Sequence, residues 1–143
     1  MKIFSKAFES GEELSAKYTC DGKNVSPPLS IKEIPSQAKS LVLIAEDPDA
    51  VGGTFVHWAE YNLSPDKKEI KKGEKLNGNC LNDFGSYGYR GPCPPAGKPH
   101  RYFFRVYALD IKLEFKGEIV PQLYAAMEGH VLEKAECFAV YER

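Results

Sequence analysis

The stretch LVLIAEDPDAVGGTFVHWAEYNL, Leu41–Leu63, decides how the chain is read. It opens on a short continuous apolar run, Leu41–Ala45, as expected of a buried strand. Glu46-Asp47-Pro48-Asp49 follows, with acids on both sides of a proline that fixes its own φ and holds Asp47 extended. Thr54–Leu63 then returns to the β-branched and aromatic residues that suit a pleated surface. Strict alternation there puts Val56 and Trp58 on one face, and Phe55 and His57 on the other.

Outward from this stretch the pattern repeats. Lys2–Phe8 alternates Ile3, Ser5 and Ala7 against Phe4, Lys6 and Phe8. Arg101–Leu109 (RYFFRVYAL) and Cys137–Tyr141 (CFAVY) are further strand signals. Clusters of Gly, Pro, Asn, Asp and Ser separate these runs, with no regular helix between them. That order favours a mainly β chain, an antiparallel β-sandwich with short helices, over a parallel α/β sheet. One helix is expected near the C-terminus. Pro121 suits a first helical position, Leu123, Met127 and Val131 form an apolar stripe, and Gly129 weakens or ends it. Asp66–Lys75 (DKKEIKKGEK) carries eight charges of mixed sign in ten residues, which reads as a solvated loop, with a docking surface as the alternative. No repeat or linker divides residues 1–143, so a single domain is expected.

Composition narrows the function. The 19 Lys+Arg and 20 Asp+Glu leave a net charge of −1, without the basic surplus of a general nucleic-acid binder. No run approaches the ~18 apolar residues of a membrane span, and the opening MKIFSKAFESGEEL has no apolar leader core. A cytoplasmic protein without integral membrane association is expected. The four cysteines, at 20, 80, 93 and 137, include no C-x-x-C pair, so a structural zinc site is not indicated. Free thiols are the reading for a reducing cytosol, with one disulfide as the alternative.

Gly and Pro together make 22 of 143 residues, slightly above the ordinary level, and eight of them fall within Gly85–Pro99. Outside that segment they number 14 of 128, which is ordinary. A long loop of prolines and glycines is expensive unless it builds something. Its free N–H groups can form an anion nest. The loop leads into His100 and Tyr102, which are two residues apart and share a strand face. With the Asp47 and Asp49 acids and His57, the set suits a phosphate or carboxylate, since imidazole, tyrosyl hydroxyl and backbone N–H groups all donate to anions. His130, on the expected helix, reads as an ordinary surface or packing residue.

These motifs occur together and in one order: DPDA at Asp47–Ala50, HW at His57-Trp58, GPCPP at Gly91–Pro95 and HRY at His100–Tyr102. With KYTCDGKNVSPPLS at Lys17–Ser30 and the AAMEGHVLEKAE segment, they make the sequence closely similar to the phosphatidylethanolamine-binding protein family. The similarity is to its bacterial and archaeal, Raf-kinase-inhibitor-like branch. The resemblance implies a large central β-sheet packed on a smaller one, with a small anion pocket at one end of the sheet. It places Asp47, Asp49, His57, His100 and Tyr102 at the family's pocket motifs. It also puts the backbone amide of Cys93 toward the anion, and Tyr87 as a lining residue. Val51 stands where the family usually has proline, and nothing after Arg143 corresponds to the helix that partly covers the mammalian pocket. A more open pocket is therefore expected.

The function so implied is non-enzymatic binding or regulation, with a phosphate-bearing small molecule or phosphorylated ligand as partner. Inhibition of a kinase or serine protease, and a homodimer, come with the resemblance. The alternatives are a hydrolase or isomerase using the Asp/His pair as acid and base, and a metal site of two carboxylates and two imidazoles. No G-x-S-x-G elbow supports the first, and the family context favours anion binding over metal. No cofactor is expected.

Overall fold

The apolar run of Leu41–Ala45 lies at the centre of the computed structural model, which describes Met1–Arg143. It belongs to β3 (Ser40–Asp47), every residue of which is buried. Both faces of this strand are covered, which explains an unbroken apolar run in place of alternation. Leu41, Leu43 and Ala45 face one core, and Val42 and Ile44 face the other.

Antiparallel pairing builds two sheets. β1 (Lys2–Phe4), β2 (Leu29–Lys32) and β5 (Glu69–Ile70) form the smaller, in the order β1-β2-β5. β4 (Phe55–Leu63), β3, β6 (His100–Leu109) and β7 (Val131–Tyr141) form the larger, in the order β4-β3-β6-β7. Ile3, Leu29, Ile31 and Ile70 of the small sheet pack on Leu41, Leu43, Trp58 and Phe104 of the large one. The opposite face is closed by Leu113 and by Val120, Leu123 and Met127 of α1 (Val120–Met127). Each buried leucine contributes about 1.5–3 kcal/mol relative to exposure. The chain is thus mainly β, with the large sheet packed on a smaller one.

Several local readings shift. α1 starts as expected, with Pro121 in its first turn and the Gln122 side-chain Oε1 accepting the Glu118 and Ile119 N–H groups. It ends at Met127, and Gly129 takes a φ of +81° that L side chains rarely adopt. Val131 therefore opens β7 instead of continuing the helical stripe. β7 extends well before Cys137–Tyr141, and its first residues, Val131-Leu132-Glu133-Lys134, are exposed at a sheet edge and carry no apolar alternation to mark a strand. β2, flanked by Pro27 and Pro28, is too short to announce itself. The charged segment Asp66–Lys75 hides β5, anchored by Ile70 at 1% exposure.

The expectation of four free thiols is corrected. Cys20 and Cys93 form a disulfide across 73 residues of sequence, with Cα atoms 5.4 Å apart. Beside it the Cys20 N–H donates to the Pro92 carbonyl at 3.0 Å. The fold, not the spacing, brings them together. Cys80 and Cys137 are free and buried, and burial pushes their thiols up to about 11 and about 12.

Candidate functional site

Sheet order assembles the site. β3 is central in β4-β3-β6, so its C-terminal end meets the start of both neighbours, with Asp47 opposite Phe55 and Glu46 opposite Phe103. Asp47, His57, His100 and Tyr102, distant in sequence, therefore share one end of the sheet. There they line a cavity of about 220 Å³ together with Cys93, Pro94, Pro95, Ala50, Val51, Phe55 and Phe84.

A β-bulge aims His57. Ala45 pairs with Trp58 and Glu46 with Val56, leaving His57 as the extra residue. Simple alternation therefore fails here: Val56 packs against the α1 core and Trp58 against the small-sheet core. The inserted residue is turned to the end of the sheet, where His57 Nδ1 donates to the Arg90 carbonyl at 2.7 Å. That bond fixes the proton on Nδ1 and leaves the Nε2 lone pair free. Burial lowers the His57 pKa, against smaller opposing effects of the Arg90 carbonyl and the Asp47 charge.

His100 is held by the same logic. Its Nδ1 donates to Asp47 Oδ2 at 2.7 Å, and the two residues are 5% and 3% exposed. Asp47 Oδ1 accepts the Asp49 N–H at 2.8 Å, closing the turn around Pro48. One carboxylate thus fixes the turn and the imidazole. Neither Nε2 has a partner in the protein, and no fully buried side-chain polar atom lacks one, so both nitrogens reach open space.

Tyr102 lies between the imidazoles, its ring centroid 5.4 Å from His57 and 6.3 Å from His100. Burial, then the Asp47 charge, pushes its pKa upward, so the phenol stays an O–H donor. The Cys93 N–H bonds no group of the protein. Against the His57 ring stands an aromatic wall of Phe55 and Phe84, centroids 5.2 Å and 5.4 Å from it and 4.8 Å from each other, with the Arg90 guanidinium 4.4 Å above Phe84. No sequence pattern marked Phe55 or Phe84, since an aromatic residue in a strand or loop looks the same whether it fills a core or walls a cavity. Val51, at 89% exposure, leaves the rim open.

Two expected site residues lie elsewhere. Asp49 does not line the cavity; it is clamped by Arg101, whose Nε and Nη2 each donate to it at 2.9 Å, as does the Arg101 backbone N–H. The Arg101 hydrogen bond holds the Asp49 carboxyl down at about 2, well below its ordinary range. Tyr87, half exposed, lines a separate cavity of about 230 Å³ with Trp58, Glu60 and Tyr89. It is displaced because the Gly/Pro loop divides its residues, those before Arg90 walling one cavity and those after Pro92 the other. No group of three or more His, Cys, Asp or Glu side chains is placed to hold a metal ion.

The same fold recurs in known proteins. The family model described as phosphatidylethanolamine-binding protein matches residues 4–142. The chain belongs to the phosphatidylethanolamine-binding protein family. Relatives include a UPF0098 protein of Methanothermobacter thermautotrophicus, 44% identical over all of this chain and 99% of that protein. Another, from Pyrococcus horikoshii, is 45% identical over 97% of this chain and 75% of its own length. Among solved structures, the phosphatidylethanolamine-binding protein homologue of Chlamydia trachomatis superposes with a TM-score of 0.93 at 42% identity, covering 99% of this chain and 97% of its own. Escherichia coli YbcL, described as a member of the mammalian family, gives a TM-score of 0.90 at 30% identity, covering 99% and 98%. This family member carries the pocket motifs on the strand ends described above. No helix is long and apolar enough to cross a membrane.

Proposed function

We propose that the chain is a binding protein that captures phosphate-bearing groups in the cavity at the end of the large sheet. One observation carries this reading: His57, Cys93, His100 and Tyr102 line a single cavity, and the Cys93 N–H and both imidazole Nε2 atoms have no partner in the protein. The two imidazoles hold their first protons on Nδ1, toward Arg90 and Asp47. Each Nε2 therefore engages an anion either by taking a second proton or by accepting one from a protonated phosphate oxygen. Asp47 supplies the counter-charge for the first route at His100.

The aromatic wall and the open rim leave room for a substituent on the phosphate. No serine or thiolate nucleophile stands beside a base in the cavity, which favours capture over hydrolysis. The test is calorimetric titration with inorganic phosphate, phosphoethanolamine and a nucleotide, on the wild type and His57→Ala. Binding that the substitution abolishes is expected. Absence of binding by the wild type, or unchanged binding by His57→Ala, refutes the assignment.

A further inference from the structure

The loop that walls the cavity is fastened unequally. At its start the Gly91 N–H donates to Asn24 Oδ1 at 2.7 Å and the Pro92 carbonyl accepts from Cys20. The next backbone bond is from the Gly97 N–H to the Arg143 carbonyl at 3.1 Å. Between Pro92 and Gly97 no backbone group bonds the rest of the chain, and Pro94 and Pro95 have no N–H to offer. The covalent tie in that gap is the disulfide, and it is made by Cys93, which lines the cavity.

The two ends of the bond differ. Cys20 follows the 3-10 turn Ala16–Tyr18 and is held independently of sulfur, by its own N–H and by the double bonding of Thr19 to the Ala16 carbonyl. Cys93 is solvent-exposed, and from the Pro92 carbonyl to the Gly97 N–H its segment is tied to the rest of the chain through the Cys93 sulfur alone. Exposed disulfides are the ones open to thiol exchange, whereas structural ones resist reduction. The other cysteines are buried, with thiols held protonated, and do not compete. Arg143 places Nη1 3.6 Å from the Cys93 sulfur while its Nη2 pairs with Asp21 at 3.2 Å. A nearby guanidinium favours thiolate over thiol.

We propose that the Cys20–Cys93 disulfide is a site of reversible thiol–disulfide exchange, and that its reduction by a dithiol weakens anion capture in the adjacent cavity. A thiolate of the reductant attacks the exposed Cys93 sulfur, the Cys20–Cys93 bond breaks, and Cys20 leaves as a thiolate that takes up a proton. The second thiol of the reductant resolves the mixed disulfide. The reductant departs as its own disulfide, oxidised by two electrons, and the protein gains two thiols. Cys20 stays in place with its N–H on the Pro92 carbonyl, while residues 94–96 lose their tether, so Pro94 and Pro95 are no longer held against the cavity. A thiolate favoured by Arg143 adds a negative charge to the cavity wall, which further opposes an anion.

This inference rests on the anion reading above, so the experiment separates the two. Oxidised protein, and protein reduced with dithiothreitol that is then removed without air, are compared by thiol count, circular dichroism, amide hydrogen exchange and phosphate calorimetry; the Cys20→Ser/Cys93→Ser protein repeats the comparison without reductant. The expected result is two new thiols, an unchanged fold, faster exchange at Gly97, whose N–H bonds the Arg143 carbonyl, and phosphate affinity at least about tenfold weaker, restored by oxidised dithiothreitol. Resistance to reduction, global unfolding on reduction, unchanged exchange, or equal affinity in both forms overturns the latch while leaving anion capture standing. Failure of the oxidised protein to bind phosphate overturns anion capture, and with it the consequence assigned to the latch, whatever the loop does.

Discussion

Asp47→Ala is the most informative single substitution, because one carboxylate carries two bonds, one buried and one partly buried. Truncation leaves the His100 Nδ1–H, in a residue 5% exposed, without its 2.7 Å acceptor. It also leaves the Asp49 N–H without the 2.8 Å bond that closes the turn. An unpaired buried donor costs about 1–3 kcal/mol and a lost turn bond about 1 kcal/mol, so a loss near 3 kcal/mol is expected. That agrees with the ~3–5 kcal/mol typical of removing one partner of a buried pair. Asp47→Asn is milder, about 1–2 kcal/mol, because an amide offers only one acceptor oxygen and one of the two donors must go unmet. Urea unfolding followed by the fluorescence of Trp58, the single tryptophan, reads both. A double-mutant cycle with His100→Ala isolates the pair, with an expected coupling of about 1.5 kcal/mol or more. Phosphate affinity falls at least about tenfold in Asp47→Ala, since His100 Nε2 is no longer aimed. A stability loss below about 1 kcal/mol, or additivity with His100→Ala, refutes the assigned geometry.

Other substitutions and titrations separate cavity from scaffold. Asp49→Ala, which breaks a partly exposed clamp on Arg101 outside the cavity, changes phosphate affinity by less than about threefold by calorimetry. Because the Asp49 carboxyl is lowered from 3.8 to about 2, its contribution to stability is present above pH 3.8 and is lost as pH falls through about 2; acid unfolding of wild type and variant converges there. His57 works in a different window. Burial lowers its pKa from 6.5, so its contribution is intact above pH 6.5 and is lost as pH falls through the folded-state value. An anion in the cavity favours the charged ring, so phosphate binding near pH 6.5 takes up protons; calorimetry in buffers of different ionisation enthalpy shows this, and His57→Gln reduces it. Removing the disulfide by Cys20→Ser/Cys93→Ser releases a 73-residue separation in the unfolded chain and lowers stability by about 4 kcal/mol in urea titrations. Glu60, 1% exposed and bonded by the Trp58 Nε1–H at 2.9 Å, has its carboxyl raised above 4.5 by burial. The Trp58 fluorescence titration therefore has a midpoint above 4.5, absent in Glu60→Gln.

Much of this site was legible because its chemistry is local. DPD, HW and HRY place an acid and two imidazoles at strand ends, and the Gly/Pro surplus of Gly85–Pro99 points to the loop that closes over them. Five of the seven expected residues, Asp47, His57, Cys93, His100 and Tyr102, line the cavity. In sequence Asp49 looks like a second site acid, because its partner, Arg101, is 52 residues away and nothing local announces the clamp. Tyr87 went to the other cavity because a loop's two halves face different ways, which composition does not encode.

By itself the sequence determined the β character of the chain, the doubly buried centre at Leu41–Ala45 and the residue types of the site, because side-chain periodicity and turn chemistry act over a few residues. Tertiary structure decided what depends on distant partners. The bulge that turns His57 out exists through the register of β4 on β3. The tautomers are set by Asp47 and by the Arg90 carbonyl. The pairing of Cys20 with Cys93 follows from folding a loop against a 3-10 turn 73 residues away. Each is a relation between separated segments, and such relations acquire an energy only when the chain closes upon itself.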